Sequence, residues 1–298
     1  MNAMGAKQEK VWFITGASSG FGRALARAAL TRGDRVATTA RHCDSLHSLA
    51  EQYPGRARVL PLDVTDPAAA REAVAKALEH FGRIDVVFNN AGYGHVGSVE
   101  ELSDEDLRRQ LDVNLLGVIN VTRAALPAMR KQGSGHLVQM ASLNGVEPLA
   151  GGAYYTASKF AVKGFSEALA TEVAHLGIKV TIVEPGPFRT RFLKPDSVRW
   201  AAPMADYAAS VGKTRELIRA MDGTQPGDPA RAAQAILRAV DAGQPPLHLP
   251  LGRMAVEHIR TTLRAQLDEV DSLADVAAAA DFPAGSRQDH HRPAVGTR

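Results

Sequence analysis

The stretch Val11-Trp-Phe-Ile-Thr15-Gly-Ala-Ser-Ser-Gly-Phe-Gly22 decides the fold. Its first five residues are contiguous and apolar or β-favouring, the pattern of a strand buried on both faces. Glycines at 16, 20 and 22 then allow a tight turn, and Arg23–Arg32 continues with helical spacing. Strand, glycine turn and helix in this order open a βαβ unit. The rhythm is kept by the runs Arg35–Thr39, Arg58–Leu62, Ile84–Phe88, His136–Met140 and Lys179–Val183, with a weaker seventh at Pro246–Leu249. Helix-length segments lie between them. In Pro67–His80, Asp66 is placed to cap and Pro67 suits a first helical position. The alternation predicts an α/β protein built on a doubly wound, seven-stranded, mostly parallel sheet flanked by helices.

Composition narrows what such a chain can be. Of 298 residues, 45% are hydrophobic and 22% charged, as in a globular protein. One cysteine excludes a disulfide framework and any multi-cysteine metal site, and no metal is expected. A net charge of +3, with no long basic run, argues against a nucleic-acid partner. No apolar segment has the length of a membrane span, and the polar start lacks the apolar core of a secretory signal, so a cytoplasmic location is the default. Residues 1–10 read as a flexible lead, 11–280 as a single domain, and 281–298, rich in Pro, Gly, His and Arg, as a flexible tail. Within the domain, 194–227 breaks the rhythm and holds Trp200, Met204 and Tyr207, which reads as a lid.

Two features carry chemistry. The turn of Gly16, Gly20 and Gly22 lets the backbone approach a pyrophosphate seated on the following helix N-terminus, as in a Rossmann dinucleotide site. A nucleotide held there extends its adenosine ribose to the end of the second strand. That strand is followed by Arg41, with no acid before Asp44. A carboxylate would repel a 2′-phosphate, whereas a guanidinium grips it, so NADP(H) is favoured over NAD(H). The second feature is Tyr155-Thr-Ala-Ser-Lys159, which sets a phenol and an ammonium on one helix face. Five Tyr and nine Lys in 298 residues give about 0.15 such pairs by chance, so the motif needs its context.

That context is present. The sequence resembles the short-chain dehydrogenase/reductase family, in its short single-domain branch, over nearly all of Val11 to Pro250. The resemblance rests on Thr15–Gly22, Asp63, Asn89-Asn-Ala-Gly92, Asn114, Ser142, Tyr155, Lys159 and Pro185-Gly-Pro-Phe-Arg-Thr190, in the family's order and spacing. It implies an oxidoreductase that moves a hydride between a nicotinamide and a carbonyl or alcohol. By the same resemblance Tyr155 is the general acid or base, and Ser142 positions the substrate oxygen. Lys159 holds the nicotinamide ribose and helps to lower the phenol pKa. Asn114, in a helix Leu111–Lys131, anchors a water that connects Lys159 to solvent. Cofactor contacts carried over are Ser18, Ser19, Phe21, Asp63, Val64, Asn90, Ala91, Gly92, Pro185, Gly186, Phe188 and Thr190. Asp63 reads equally as a turn or cap acid. The resemblance also implies a homodimer or homotetramer through Leu111–Lys131 and Ala153–Leu176.

A substrate of this fold lies beyond the carboxyl ends of the strands. Residues expected there are Tyr93, His95, Val96, Leu143, Asn144, Val146, Glu147, Leu149 and Phe192, a mostly apolar set that suits a small-molecule carbonyl compound. His95 reads as a bystander rather than a second acid. Two other readings stay open at this level. One is a nucleotide-sensing protein without catalysis, and the other an epimerase or dehydratase of the longer sugar-nucleotide branch, whose glycines are usually spaced differently.

Overall fold

Side chains along β1 (Val11–Ile14) alternate between two cores. Trp12 and Ile14 pack on one side of the sheet, Val11 and Phe13 on the other, and all four are fully buried. A strand that is apolar at every position can do this only inside a three-layer structure. The computed structural model describes residues 9–195 and 197–282. Most of the lead read over 1–10 and of the tail read over 281–298 lies outside the described residues.

The first half runs β1, α1 (Gly20–Thr31), β2 (Arg35–Ala40), α2 (Asp44–Gln52), β3 (Ala57–Pro61), α3 (Pro67–Phe81), β4 (Val86–Asn89) and β5 (Gly94–Val96). Next come α4 (Asp104–Leu111), α5 (Gly117–Gln132), β6 (Gly135–Met140), α6 (Ala153–Val173) and β7 (Ile178–Pro185). The chain continues through β8 (Val198–Trp200), α7 (Lys213–Met221), α8 (Pro229–Asp241), β9 (His248–Leu251), α9 (Arg253–Ser272) and α10 (Ala274–Ala278). The described residues divide into two compact units between Ile259 and Arg260, inside the span 11–280 read from sequence as one domain.

Seven strands form one sheet in the order β3-β2-β1-β4-β6-β7-β9, every pairing parallel. This is the predicted doubly wound Rossmann arrangement. Helices α1 and α8 cover the Trp12 face, and α3, α5 and α6 cover the Phe13 face. Each large side chain so buried contributes roughly 1.5–3 kcal/mol of transfer free energy. Helix ends follow local rules. Asp66 accepts from the amides of Ala68 (2.7 Å) and Ala69 (3.2 Å) with Pro67 next to it, and α3 stops at Gly82, whose φ is +77°. Ser103 and Asp106 form a reciprocal capping box at α4.

The structure departs from the sequence-based elements in three places. The weak seventh run is a strand, but over His248–Leu251. The helix read over Leu111–Lys131 is instead the end of α4, a π-helical turn at Asp112–Leu116, and α5. A second, two-stranded parallel ribbon pairs β5 with β8, joining His95 to Arg199 in register. Three residues are too few for a period-of-two pattern to register. No described helix is long and apolar enough to cross a membrane.

Candidate active site

The sheet order reverses between β1 and β4, and the loops leaving these two strands interlock. Thr15 Oγ1 accepts from the amides of Asn90 (2.9 Å) and Ala91 (3.1 Å), while Asn90 Nδ2 donates to the carbonyls of Thr15 and Gly16, both at 3.0 Å. Gly16 sits at φ +63°, and a Cβ there would lie 2.8 Å from Ala91 Cα. Gly22 has another task. Its Cβ would meet the Gly16 carbonyl at 2.6 Å, so it seats α1 under the turn rather than lining the cleft. Ser19 precedes α1 in extended conformation with no side-chain cap, which leaves the first helical amides open to an anion.

Above this turn runs a cleft of about 990 Å³. Ser18, Ser19, Gly20, Phe21, Arg41, Asp63, Val64, Asn90, Ala91, Gly92, Pro185, Gly186, Phe188 and Thr190 all line it. The rings of Phe21 and Phe188 lie 5.0 Å apart, tilted at 57° to each other. Asp63 accepts from Thr65 through the backbone (2.9 Å) and the hydroxyl (2.8 Å). Burial pushes its pKa up, but these bonds, with Arg41 and Arg109 nearby, hold it below the usual carboxylate range. It is therefore a turn acid, and Asp66 two residues on from Val64 is the helix cap. An uncapped helix start, a glycine turn held by Thr15 and a cleft of this size fit a dinucleotide.

Ser142, Tyr155 and Lys159 stand on the same wall. Ser142 follows β6, and its Oγ accepts from the Asn144 amide at 3.1 Å. Lys159, 4% exposed, donates from Nζ to the Met140 carbonyl at 2.8 Å and lies 5.7 Å from the Tyr155 ring centroid. Burial pushes the Tyr155 pKa up to about 12, with Ser142 acting in the opposite direction, and pushes Lys159 down to about 8. In the chain alone burial of the phenol dominates, and the lowering expected from sequence also invokes the positive charge of an oxidised nicotinamide. The phenol is held as a proton donor at neutral pH.

Asn114 is buried behind the wall rather than in the cleft, within the π-helical turn. Its Nδ2 donates to the Tyr93 carbonyl (2.9 Å) and Ser158 Oγ (3.0 Å), and its Oδ1 accepts from the Tyr93 amide (3.0 Å). Ser158 Oγ in turn donates to the Tyr155 carbonyl at 2.7 Å. The Asn114 side chain thus fixes β5 against the turn of α6 that carries Tyr155.

Of the residues read as substrate contacts, Tyr93, His95, Val96, Leu143, Asn144, Glu147, Leu149 and Phe192 line the cleft, the Phe192 ring 5.8 Å from that of Tyr155. Val146 does not. It is 3% exposed and packs inward against Ala255 and Ile259. His95 lies 3.3 Å from Asp106, and burial holds its pKa below the ordinary value, so it is neutral at pH 7. The sequence reading missed Leu217, Ile218 and Met221 of α7 and Met254 and His258 of α9. The i, i+4 spacing of Met254 and His258 was a usable signal, but nothing local pointed that face at the cleft. His258 Nδ1 meets Glu147 Oε2 at 2.6 Å across the rim.

Residues 10–199 match the sequence profile of the short chain dehydrogenase family. The chain belongs to that family and is an oxidoreductase. It is 43% identical over 251 residues to an oxidoreductase of Botryotinia fuckeliana, covering 84% of this chain and 91% of the relative. It is 35% identical over 246 residues to the 3-ketodihydrosphingosine reductase of Bacteroides thetaiotaomicron, covering 82% and 88%. Among solved structures, a short-chain dehydrogenase from Streptomyces avermitilis superposes with a TM-score of 0.87 at 43% identity, covering 92% of this chain and all of that one. A family member from Burkholderia phymatum in complex with NAD gives 0.77 at 25% identity, covering 89% and 95%. An alcohol dehydrogenase from Thermococcus sibiricus complexed with 5-hydroxy-NADP gives 0.66 at 27%, covering 82% and 95%.

Proposed function

We propose that the protein is an NADP(H)-dependent oxidoreductase acting on a carbonyl group or the matching secondary alcohol, with Tyr155 as the proton donor or acceptor. The observation that carries this reading is the grouping of Ser142, Tyr155 and Lys159 on one wall of a cleft whose floor is the glycine turn and the open start of α1. A bound nicotinamide supplies or accepts the hydride. The protein's own residues do the rest.

In the direction of reduction, the Ser142 hydroxyl donates to the substrate oxygen and aligns it with the Tyr155 phenol. Tyr155, protonated because burial pushes its pKa up to about 12, gives its proton to that oxygen as negative charge grows there. Lys159, held by the Met140 carbonyl, keeps two donor hydrogens for ribose hydroxyls and, when charged, for the phenolate left behind. In oxidation the same groups work in reverse. Asn114 keeps α6 and β5 in register, and a water on it would complete a proton path from Lys159.

Arg41 supports the choice of NADP(H). It lines the adenosine end of the cleft as an exposed guanidinium. Leu143, Leu149, Phe192, Leu217, Ile218 and Met221 make the substrate end mostly apolar, which supports a carbonyl compound with a hydrophobic body. The relative named 3-ketodihydrosphingosine reductase is consistent with this.

NADPH and NADH consumption against ketones, aldehydes, quinones and steroids tests the reading, with Tyr155→Phe as control. The variant should lose about 10²–10⁴-fold in rate while still binding NADPH. Wild-type turnover by Tyr155→Phe would sink the mechanism.

A further inference from the structure

The helix α9 carries two patterns that do not suit a helix facing water on its own. Leu263, Leu267 and Val270 follow one another at four and three residues and so share a face, yet they are 48%, 59% and 66% exposed. Among the described residues, seven of the thirteen exposed large hydrophobic side chains lie between Val256 and Phe282, so the exposure is concentrated rather than scattered. The charges form the second pattern. Arg260 and Arg264 stand before the stripe's centre, and Asp268, Glu269 and Asp271 after it. This order opposes the helix dipole, which favours acids near the start and bases near the end. None of the five charges forms an ion pair among the described residues.

We propose that this part of α9 pairs antiparallel with the same part of a second copy of the chain. A two-fold axis between Gln266 and Leu267 sets Leu263 of one copy opposite Val270 of the other, and Arg264 opposite Glu269. One self-complementary patch thereby covers the apolar stripe and pairs the basic half with the acidic half, twice over. It also sets Asp271 of one copy opposite Thr262 of the other, between Arg260 and Arg264, so that the acids near the helix end face bases.

Two other covers fit less well. Residues 283–298 offer one large aliphatic side chain, Val295, too little to mask the stripe. An anionic lipid surface would attract the arginines but repel Asp268, Glu269, Asp271 and Asp275.

Sedimentation velocity of the full chain tests the pairing. Leu267→Glu changes an exposed position and leaves the core intact, and it should halve the assembly mass. Arg264→Glu and Glu269→Arg should each weaken association roughly tenfold, since two charge pairs turn into two repulsions. The double variant should recover to within about threefold of wild type, because the pairs are remade with signs exchanged. In a Cys43→Ser background, Gln266→Cys should form a disulfide-linked dimer under mild oxidation, whereas Asp275→Cys, far from the axis, should not. A monomeric wild type, an unchanged mass for Leu267→Glu, or no recovery in the double variant would overturn the proposal. So would binding of the wild type to phosphatidylserine vesicles that Leu267→Glu abolishes without any change of mass.

Discussion

Arg41 directly follows β2, and the proposed preference for NADP(H) rests on this one side chain. It is exposed, and no acidic residue precedes it in the loop. Its charge reaches Asp63 across the adenosine end of the cleft, helping to hold that carboxyl below its usual range. Loss of one charge-assisted contact to a phosphate removes on the order of 1.5–3 kcal/mol. Arg41→Ala should therefore weaken NADPH binding by roughly ten- to a hundredfold, and NADH binding by little, in fluorescence titrations of both nucleotides. Equal losses for the two would reject Arg41 as the selector. At this scale much of the candidate site was legible, because chemistry dictates residue type. The glycine turn and the Tyr–Lys pair one turn apart stand out in the sequence once the surrounding motifs are read with them. Side-chain direction does not. Val146 sits between cleft residues 144 and 147 yet points into the core, and Asn114 faces Tyr93 and Ser158 rather than the cleft.

At the scale of elements, the roof of the cleft depends on one carboxylate. Glu101, just after β5, accepts from the amides of Ser98 (2.6 Å) and Met204 (2.7 Å) and from Arg215 of α7 (2.8 and 3.3 Å). Arg215 also donates to the Ala201 carbonyl at 3.2 Å. Burial raises the Glu101 pKa, but these hydrogen bonds outweigh it and keep the group ionised. One side chain thus fastens the segment after β8, and α7 beyond it, to the strand that carries His95. Sequence alone could not show this, since Glu101 and Arg215 are 114 positions apart and neither lies in a motif. Glu101→Gln keeps the shape but leaves the Arg215 guanidinium, 7% exposed, without its counter-charge. Limited trypsin cleavage within 197–227 should then speed up roughly tenfold as local opening is favoured, with helix content by circular dichroism unchanged. The Glu101→Met, Arg215→Met double variant should be less sensitive than Glu101→Gln, because it leaves no charge buried alone. Equal cleavage rates in wild type and Glu101→Gln would show that the apolar contacts of α7 hold the roof by themselves.

The whole molecule is governed by its sheet, and the sheet was the most legible part, because strands buried on both faces are mainly apolar on consecutive positions. One of the buried polar residues inside it gives a test of global stability. His136, on β6 between β4 and β7, is 4% exposed. The Thr181 hydroxyl donates to the Pro246 carbonyl at 2.7 Å, so it accepts from His136 Nε2 at 2.9 Å, which fixes the neutral tautomer with its proton on Nε2. Burial, and then the positive charges of Lys179 and Lys10, lower the His136 pKa from 6.5 to about 4. The unfolded chain therefore takes up a proton near pH 6.5, whereas the folded chain resists it until near pH 4. Between those values the unfolded state binds more protons, so stability rises with pH and is lost on acidification. The stabilisation is in full effect above pH 6.5 and drains away through the interval down to about 4. From pH 7 to pH 5 this one group should cost about 2 kcal/mol. His136→Gln keeps an N–H donor for Thr181 and removes the titration. Urea unfolding at pH 7 and pH 5 should show a loss about 2 kcal/mol larger in wild type than in the variant, whatever the variant's stability at pH 7. Carboxylates that titrate in the same interval act alike in both proteins and cancel in the difference. Parallel pH dependence of the two would mean that His136 is protonated in the folded sheet, and that β6 opens to admit the charge well above pH 4.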